Sequence, residues 1–338
     1  MIRPSELKRQ LLPKGIKREL QNLSNRLFNR CTEEKLVAAF QHLQIPSGAY
    51  LCVHSMLSGL GYLVGGPETV IKALQRAVPA CTIMMPTFPF SGSAKEYLDH
   101  GEVFDPQQTP SKSGMLTECL RRMPGAVRSM HPTHPCVALG PGAHDLIDGS
   151  EHSLTPFGDD STYGRFSSIS NAYLLLIHTN NTSMVHRIQE MVDMPNLFLD
   201  GEFSARTLLP TGAVAHFPVK LHTPIVPLFV VEGDEGGGRE VLWYPDYTLL
   251  FPKYNFQRIQ DKLQGNSVWE KLKKRHDSFI DRGIYAVAAT GGSEIMSVKL
   301  NPWLQETNRE VCRTLQEFGP DYDPEIIAAM YEEGRLAR

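Results

Sequence analysis

YLCVH at residues 50–54, GPET at residues 66–69 and CTIMM at residues 81–85 decide the fold of this chain. The first and third stretches are apolar along their length, which is typical of strands buried on both faces. Pro67 lies near the first turn of a helix that we expect to run to about Ala77. Strand, helix and strand in this order predict an α/β fold with helices on both faces of the sheet.

The same alternation continues on either side of this unit. Thr32 is a plausible N-cap, and Glu33 and Glu34 follow it in the first turn, where the helix dipole favours negative charge. The stretch AYLLLIH, residues 172–178, is the strongest candidate for a central strand. Further helices are predicted at residues 32–43, 113–122, 182–192 and 256–281, and a further strand at residues 284–289.

Residues 205–252 have a different character. They are β-rich, are interrupted by prolines, among them Pro210, Pro218, Pro224 and Pro227, and contain the turn DEGGG at residues 234–238. We interpret them as an antiparallel excursion or extra sheet within one elaborated domain. The predicted organisation is a basic helical extension over residues 1–31, a main domain over 32–310 with a β-rich insert around 195–252, and a helical tail over 311–338.

Composition excludes several classes of protein. No apolar run approaches the length of a membrane span, and MIRPSELKRQ at the N-terminus does not resemble a secretory signal. The six cysteines are scattered without a CxxC pair, which indicates reduced thiols and no zinc site. We therefore expect a cytoplasmic protein without a membrane-spanning segment.

Charge is unevenly distributed along the chain. The net charge is −3, yet residues 1–30 carry eight Lys or Arg against two Glu. This segment is too short and too poor in aromatics to predict nucleic-acid binding. It is a solvated helix, or a basic amphipathic helix at a membrane surface or subunit contact such as a homodimer.

Polar residues follow the first predicted strand. His54, Ser55 and Met56 lead toward the turn glycines Gly65 and Gly66, which open a helix. Such turns expose backbone N–H groups at the positive end of a helix, where phosphates and carbonyl oxygens bind. Turn glycines that bind nothing would give the same pattern, so both interpretations stay open.

Two further polar stretches lie between residues 104 and 135. Thr109, Ser111 and the residues up to Gly114 precede a helix, where the serines are helix caps or part of a pyrophosphate pocket. Arg128 and Ser129 lead into a rigid loop with His131 and His134 between prolines. Because no carboxylate or thiolate lies at ligand spacing from these imidazoles, we expect no metal site.

Histidines also follow the predicted central strand. His178 ends it, and His186 and Glu190 are four residues apart on the next helix, so they share a face. A carboxylate beside an imidazole can orient it and raise its basicity, as a general base requires. A surface ion pair has the same spacing.

Taken in order, these motifs resemble a known family. VHSMLSGLGYLVGGPETVIKAL, TIMMPTF, VFDPQQTPSKSGMLTECLRR, RSMHPTHPCVALGP and TPFGDDSTYGRF are similar to segments of the aminoglycoside 3-N-acetyltransferases, and the similarity is close over residues 50–166. The resemblance implies an α/β/α sandwich with a mixed central sheet, distinct from the GNAT acetyltransferases. It also implies direct transfer of an acetyl group from acetyl-CoA to an amine, without an acyl-enzyme or a metal.

The resemblance assigns roles to individual residues. His186 matches the family's catalytic histidine and is the expected general base, with Glu190 as a further catalytic candidate. The residues matched or adjacent to the CoA channel are His54, Ser55, Met56, Gly65, Gly66, Thr109, Ser111, Arg128, Ser129 and His131. The expected substrate contacts are Asp99, His178 and Asn181.

This chain also departs from the family pattern. Asn180 and Ser183 stand where family members carry an Asp and a Thr before the catalytic histidine, so the carboxylate is missing there. Asp246 is the expected counterpart of acidic residues that the family places later in the chain. Residues 195–245 have no clear match, which indicates a changed acceptor pocket.

The predicted function is acetyl-CoA-dependent N-acetylation of an aminoglycoside or amino sugar. Alternatives are a CoA-binding member without catalysis and an acyltransferase that uses a longer acyl-CoA. The lining of the acceptor pocket discriminates between substrates: an acidic cleft favours a polycationic antibiotic, whereas a mixed polar and aromatic cleft favours a nucleotide-linked or neutral sugar. Glu96, Glu102, Asp159 and Asp160, with Asp99, are the acidic candidates.

Overall fold

The structure is a computed structural model that describes residues 24–179, 182–194, 197–222, 229–232, 239–242, 267–290 and 293–318. The strands, in chain order, are β1 Arg30–Cys31, β2 Tyr50–Ser55, β3 Tyr62–Leu63, β4 Thr82–Pro86, β5 Val103–Phe104, β6 Val127–Arg128, β7 Cys136–Leu139, β8 Ala172–Ile177, β9 Phe203–Leu208, β10 Val214–Val219, β11 Phe229–Glu232, β12 Arg239–Leu242, β13 Tyr285–Thr290 and β14 Ser293–Lys299.

The α-helices are α1 Glu33–His42, α2 Pro67–Ala77, α3 Ala94–Asp99, α4 Met115–Arg121, α5 Ala143–Ile147, α6 Thr162–Ser168, α7 Met184–Met191, α8 Ser267–Asp281 and α9 Leu300–Phe318. Short 3-10 turns cover Leu57–Leu60 and Ser150–His152. Within the described ranges, none of these helices has both the length and the apolar character needed to cross a membrane.

A seven-stranded sheet in the order β13-β14-β8-β2-β4-β7-β6 forms the centre of the molecule. Strand β2 pairs in parallel with both β8 and β4, while β14, β13, β7 and β6 join through antiparallel pairs. The predicted mixed central sheet is confirmed. Because β2, β4 and β8 are parallel, their carboxyl ends share one edge, and the antiparallel β7 brings the residues that precede it to that edge.

Apolar side chains cover both faces of this sheet. On β8, Leu174 and Leu176 pack on one face, with the helices α5, α6, α7 and α9. Leu175 and Ile177, which alternate with them, pack on the other, with α1, α2 and α4. The period of two sends successive side chains of a strand to opposite faces, so a strand apolar throughout fits a sheet between two helical layers.

Local signals set the ends of several helices. The Thr32 side chain accepts a hydrogen bond from the Lys35 N–H and caps α1, as predicted. Pro67 is the first residue of α2, and Gly66 is its N-cap. The N-cap of α4 is Gly114, so the cap interpretation of Ser111 and Ser113 is wrong. The Ser111 hydroxyl bonds to Thr117 within α4, and the Ser113 hydroxyl bonds to Phe88 instead.

The β-rich insert contains two antiparallel hairpins, β9–β10 and β11–β12. Strand β9 also pairs in parallel with β5, so the first hairpin extends a small sheet that begins in the main domain. Ala205, Val219 and Leu221 form a small apolar cluster beneath it. The first hairpin is thus joined to the main domain through β5.

Candidate active site

Side chains from several loops meet at the carboxyl edge of β2, β4 and β8. Phe157, from the stretch TPFG, has the rings of His134, His186 and His222 at centroid distances of 5.4, 5.0 and 5.4 Å. His186 and His222 are in edge-to-face contact at 5.2 Å, and His131 and His134 are 6.1 Å apart. We call His131, His134, His186 and His222 the histidine cluster.

Burial keeps three of these imidazoles neutral, those of His131, His134 and His186. It lowers the pKa of His131 to about 4. It also lowers the pKa of His186 to about 4, with His222 adding to the effect. The pKa of His134 lies well below its usual value, first because of burial and then because of the three neighbouring histidines. A neutral imidazole has a free lone pair and can accept a proton.

His186 lies on α7 and is held by a neutral partner. Its Nδ1 is 2.9 Å from the Gln189 Oε1. A carboxamide oxygen only accepts hydrogen bonds, so Nδ1 carries the proton and Nε2 keeps the lone pair. The ring is half-buried. This arrangement gives His186 the tautomer and the orientation of a base.

Glu190, on the same helix, is bonded to a different histidine. Its Oε1 is 2.7 Å from the His222 Nε2 and accepts the Phe157 N–H at 3.0 Å. Its Oε2 accepts the Thr155 hydroxyl at 2.6 Å. The carboxylate that the sequence placed on the face of His186 therefore orients His222, and Gln189 holds His186.

A cleft of about 350 Å³ opens beside the cluster. It is lined by aromatic, acidic and basic side chains, among them Phe90, Glu96, Tyr97, Glu102 and Lys112. The Phe90 ring also contacts His134, at a centroid distance of 5.7 Å. One wall of the cleft is therefore continuous with the histidine cluster.

Comparison with known proteins places this arrangement in a family. The model of the aminoglycoside 3-N-acetyltransferase family matches residues 52–276. The chain belongs to this family. The match includes most of β2, the main-sheet strands β4, β6, β7 and β8, and all four members of the histidine cluster.

Individual aminoglycoside 3-N-acetyltransferases match about half of this chain. Aminoglycoside N(3)-acetyltransferase VIII of Streptomyces fradiae is 31% identical over 191 residues, which are 52% of this chain and 66% of that enzyme. Aminoglycoside N(3)-acetyltransferase III of Salmonella sp is 32% identical over 181 residues, 49% of this chain and 62% of that enzyme. The matched region thus spans less than two thirds of these relatives' own length.

Solved structures share the fold. Aminoglycoside acetyltransferase AAC(3)-Xa has a TM-score of 0.62 and 22% identity, with 88% of this chain and 98% of that chain covered. The AAC-IIIb binary complex with CoASH has a TM-score of 0.62 and 19% identity, with 87% and 100% covered. At this identity the likeness establishes the mixed α/β architecture.

The residues expected at the CoA channel lie at the same sheet edge, in several separate groups. The His54 Nε2 is 3.2 Å from the Thr182 hydroxyl and 3.5 Å from the Cys52 sulfur, and burial lowers the His54 pKa to about 4. Ser55 ends β2, and Met56 follows it half-exposed. Gly65 and Gly66 both have positive φ, at 83° and 77°, which explains the glycines on backbone grounds.

Arg128 connects β6 to the loop before α4. Its guanidinium donates to the Thr87 hydroxyl and carbonyl at 3.0 and 2.6 Å, and to the carbonyls of Pro106 and Thr109 at 3.3 and 2.5 Å. It also lies over the Phe104 ring, 4.7 Å from the centroid. Arg128 thus bonds to the protein itself with both terminal nitrogens and Nε.

The remaining residues of this group are bonded within their own loops. The Thr109 hydroxyl accepts the Asp105 N–H, and the Ser111 hydroxyl is 2.7 Å from that of Thr117. The Ser129 hydroxyl accepts the Cys136 N–H at the start of β7. The Ser113 hydroxyl accepts the Phe88 N–H and so joins this loop to the end of β4. These bonds give the loops a fixed shape at the sheet edge.

The expected substrate contacts do not all reach the cluster. His178 follows β8 with a φ of 50°, and its ring occupies the space that a side chain at Gly59 would need. Asp99 forms an ion pair with Lys95 on α3. Asp159, one of the acidic candidates, pairs with Arg187 on α7. Asn180, Asn181 and Asp246 lie outside the described residues.

Sequence reasoning missed His222 and Gln189. His222 lies in the stretch, residues 195–245, that the sequence alone did not match to the family, and a single histidine three residues after β10 carries no local signal. Gln189 is three residues after His186, a spacing that places both side chains on one helix face. Because a carboxylate is the usual partner of a basic histidine, this spacing pointed to Glu190 and not to the neutral amide. Within the described ranges, no group of three His, Cys, Asp or Glu side chains is arranged to hold a metal ion.

Acidification should destabilise this protein because its histidines are buried in the neutral form. The pKa values of His54, His131, His134 and His186 are all lowered from 6.5. The unfolded chain therefore binds more protons below about pH 6.5, and the free energy of unfolding falls as the pH falls toward about 4. The midpoint of thermal unfolding, measured between about pH 8 and pH 5, should drop on the acid side. A midpoint that stays level would contradict the neutral, buried state.

Proposed function

We propose that this protein transfers the acetyl group of acetyl-CoA to an amine of an amino sugar or aminoglycoside, with His186 as general base. The observation that carries the proposal is the orientation of His186, a neutral imidazole with its Nε2 lone pair retained, at the edge of the sheet in a chain of this family. The names of the relatives and the CoASH complex of AAC-IIIb support the donor and the reaction class.

The transfer proceeds in one direct displacement. The amine nitrogen attacks the thioester carbonyl, and His186 takes the proton that the nitrogen loses. The C–N bond forms, the C–S bond breaks, and the leaving thiolate takes that proton to give CoA with a free thiol. If the acceptor arrives as an ammonium ion, its additional proton goes to solvent.

The described cysteines support direct transfer over an acyl-enzyme. Burial raises the pKa of Cys81 to about 11 and that of Cys136 to about 12, and it raises the Cys52 pKa well above its usual value. The thiolate is the nucleophilic form of cysteine, so these three buried thiols are poor nucleophiles.

The donor would bind along the segments at the carboxyl ends of β2 and β4. Gly66 caps α2 without a side-chain hydrogen bond, and the positive end of this helix would attract an anionic group of CoA. The loop of Thr109 and Ser111 would form the other wall. Arg128 would hold that loop in shape rather than contact CoA, because its donors are already bonded to Thr87, Pro106 and Thr109.

The acceptor would bind in the cleft. Its lining combines Phe90 and Tyr97 with Glu96, Glu102 and Lys112. A mixed polar and aromatic surface favours a sugar with few positive charges, such as a nucleotide-linked amino sugar, over a polycation. Val103 of β5 also lines the cleft, and β5 pairs with β9 of the insert. The β-rich insert therefore borders the proposed acceptor pocket.

The test is the release of free thiol from acetyl-CoA in the presence of a panel of acceptors. The panel contains aminoglycosides with a free 3-amino group and UDP- or dTDP-linked amino sugars, and a longer acyl-CoA is run in parallel. Release with a nucleotide-linked amino sugar supports the proposal in full. Release with aminoglycosides alone supports the reaction but contradicts the preference for a sugar with few positive charges.

A binding control completes the test. A thermal shift with CoA, in the absence of acceptor, reports on the donor site. A reaction that is faster with the longer acyl-CoA than with acetyl-CoA would identify the longer acyl group, rather than acetyl, as the group that is transferred. Binding of CoA without turnover of any acceptor would favour a binding role, and the absence of CoA binding would overturn the proposed function.

A further inference from the structure

Glu190 connects three separate parts of the chain at the histidine cluster. Its two oxygens bind the Thr155 hydroxyl, the Phe157 N–H and the His222 imidazole, while its own helix carries His186. The side chains of His222 and Glu190 are 11% and 6% exposed. A hydrogen-bonded ion in such a dry setting exerts a stronger field on its neighbours than one in water.

His222 is the part of this network that reaches His186. Its ring lies edge-to-face with that of His186 at 5.2 Å and also contacts Phe157 and Phe198. The Nε2–H of His222 donates to Glu190, and its other ring nitrogen, Nδ1, is buried without a hydrogen-bond partner in the described part of the chain. His222 is therefore a polarised, carboxylate-bound imidazole beside a neutral one.

His186 needs such support during the reaction. Its own hydrogen-bond partner, Gln189, is an uncharged amide, and an amide orients an imidazole without compensating a positive charge. The burial that keeps His186 neutral also opposes its protonation, and His222 adds to this opposition whenever it is charged. The negative charge that can offset both effects is that of Glu190, bonded to the cluster through His222.

We propose that Glu190 and His222 form a positioning pair that orients His186 and stabilises its protonated form while the acetyl group is transferred. The inference rests on the proposed function and extends it to two residues that act through His186. The proton stays on His186 until the thiolate takes it, and the pair supplies orientation and charge. The other two members of the histidine cluster, His131 and His134, are neutral. The positive charge of Arg187 on α7 is offset by Asp159.

The test compares Glu190→Gln and His222→Gln with the wild-type protein in the thiol-release assay. Both substitutions retain hydrogen-bonding capacity. Glu190→Gln removes the negative charge, and His222→Gln removes the imidazole. We expect kcat to fall by roughly 10- to 100-fold in each, as for other residues that orient a reactive group. The KM for acetyl-CoA should stay within about two-fold of wild type, because neither residue contacts the donor.

The pH dependence separates this role from a purely structural one. Removing the carboxylate lowers the pKa of protonated His186, so the acidic limb of the kcat profile should shift to lower pH in Glu190→Gln. Thr155→Val removes one hydrogen bond to Glu190 and keeps its charge, so it should lower the thermal midpoint and leave that limb in place. Glu306 lies on α9 and forms an ion pair with Arg282. Glu306→Gln breaks that pair and is the control for loss of a remote carboxylate.

Three outcomes would overturn the inference. One is wild-type kcat in both variants. Another is a fall in kcat that follows the thermal midpoint, with the acidic limb unmoved and Thr155→Val equally affected. If the wild-type protein transfers acetyl to no amine, the proposed function fails and the role of this pair fails with it. An active wild type with fully active variants overturns the pair alone.

Discussion

Replacing His186 by Asn should lower kcat for acetyl transfer by about 10²- to 10⁴-fold, the usual contribution of a general base. The asparagine amide can still bond to Gln189, but it has no lone pair of comparable basicity. The amine would then have to lose its proton to water during the attack. The KM for acetyl-CoA should barely change, because the segments proposed to bind the donor do not include α7.

A matched substitution controls for the loss of any histidine. His144→Asn changes an exposed residue on α5 that pairs with Asp148 and does not belong to the histidine cluster, and it should leave kcat at its wild-type level. If the His186 variant keeps kcat within a few-fold of wild type, the imidazole is structural. His178, His131 and His134 would then be the next candidates for the base.

Replacing Arg128 by Met should lower the free energy of unfolding by about 3 kcal/mol, because several buried acceptors lose a charged donor together. Met keeps the length of the apolar stem but cannot donate to Thr87, Pro106 or Thr109. It also loses the stacking over Phe104. The free energy of unfolding, measured in urea for wild type and variant, checks this.

Arg122→Met is the appropriate comparison for Arg128. Arg122 is largely exposed and pairs with Glu118 at the end of α4, so its loss should change stability by less than about 1 kcal/mol. An arginine whose role is to bind the CoA phosphates would behave differently. Its replacement would leave stability near the wild-type value and raise the KM for acetyl-CoA, and that result would contradict the structural role.

The sequence was informative wherever a feature depends on neighbouring residues. Thr32 caps its helix and Pro67 begins the next because both effects act within one turn. The strand at residues 172–177 was recognisable because a run apolar on both faces is needed between two helical layers. The resemblance to the family rested on motifs within residues 50–166, and it was confirmed.

The site was less predictable because it depends on contacts between distant segments. The spacing of His186 and Glu190 placed both side chains on α7, but it could not show that Glu190 bonds to His222, 32 residues away. Arg128 was expected at the CoA channel, whereas the carbonyls that surround it come from two loops brought together by folding. In both cases the partner is chosen by tertiary packing, which leaves no periodic or capping signal in the sequence.

The order of the central sheet also has consequences for how the protein folds. Strand β2 pairs with β8, Tyr50 opposite Ala172, so the two strands in the middle of the sheet meet only after a long stretch of chain has been synthesised. Contacts between such distant residues close large loops and slow the search for the native state. His54, His134, His186 and His222 reach the common edge only once that pairing is complete. Refolded protein should therefore regain acetyl-transfer activity late and in a single phase, and an N-terminal fragment that ends before β8 should have no active site.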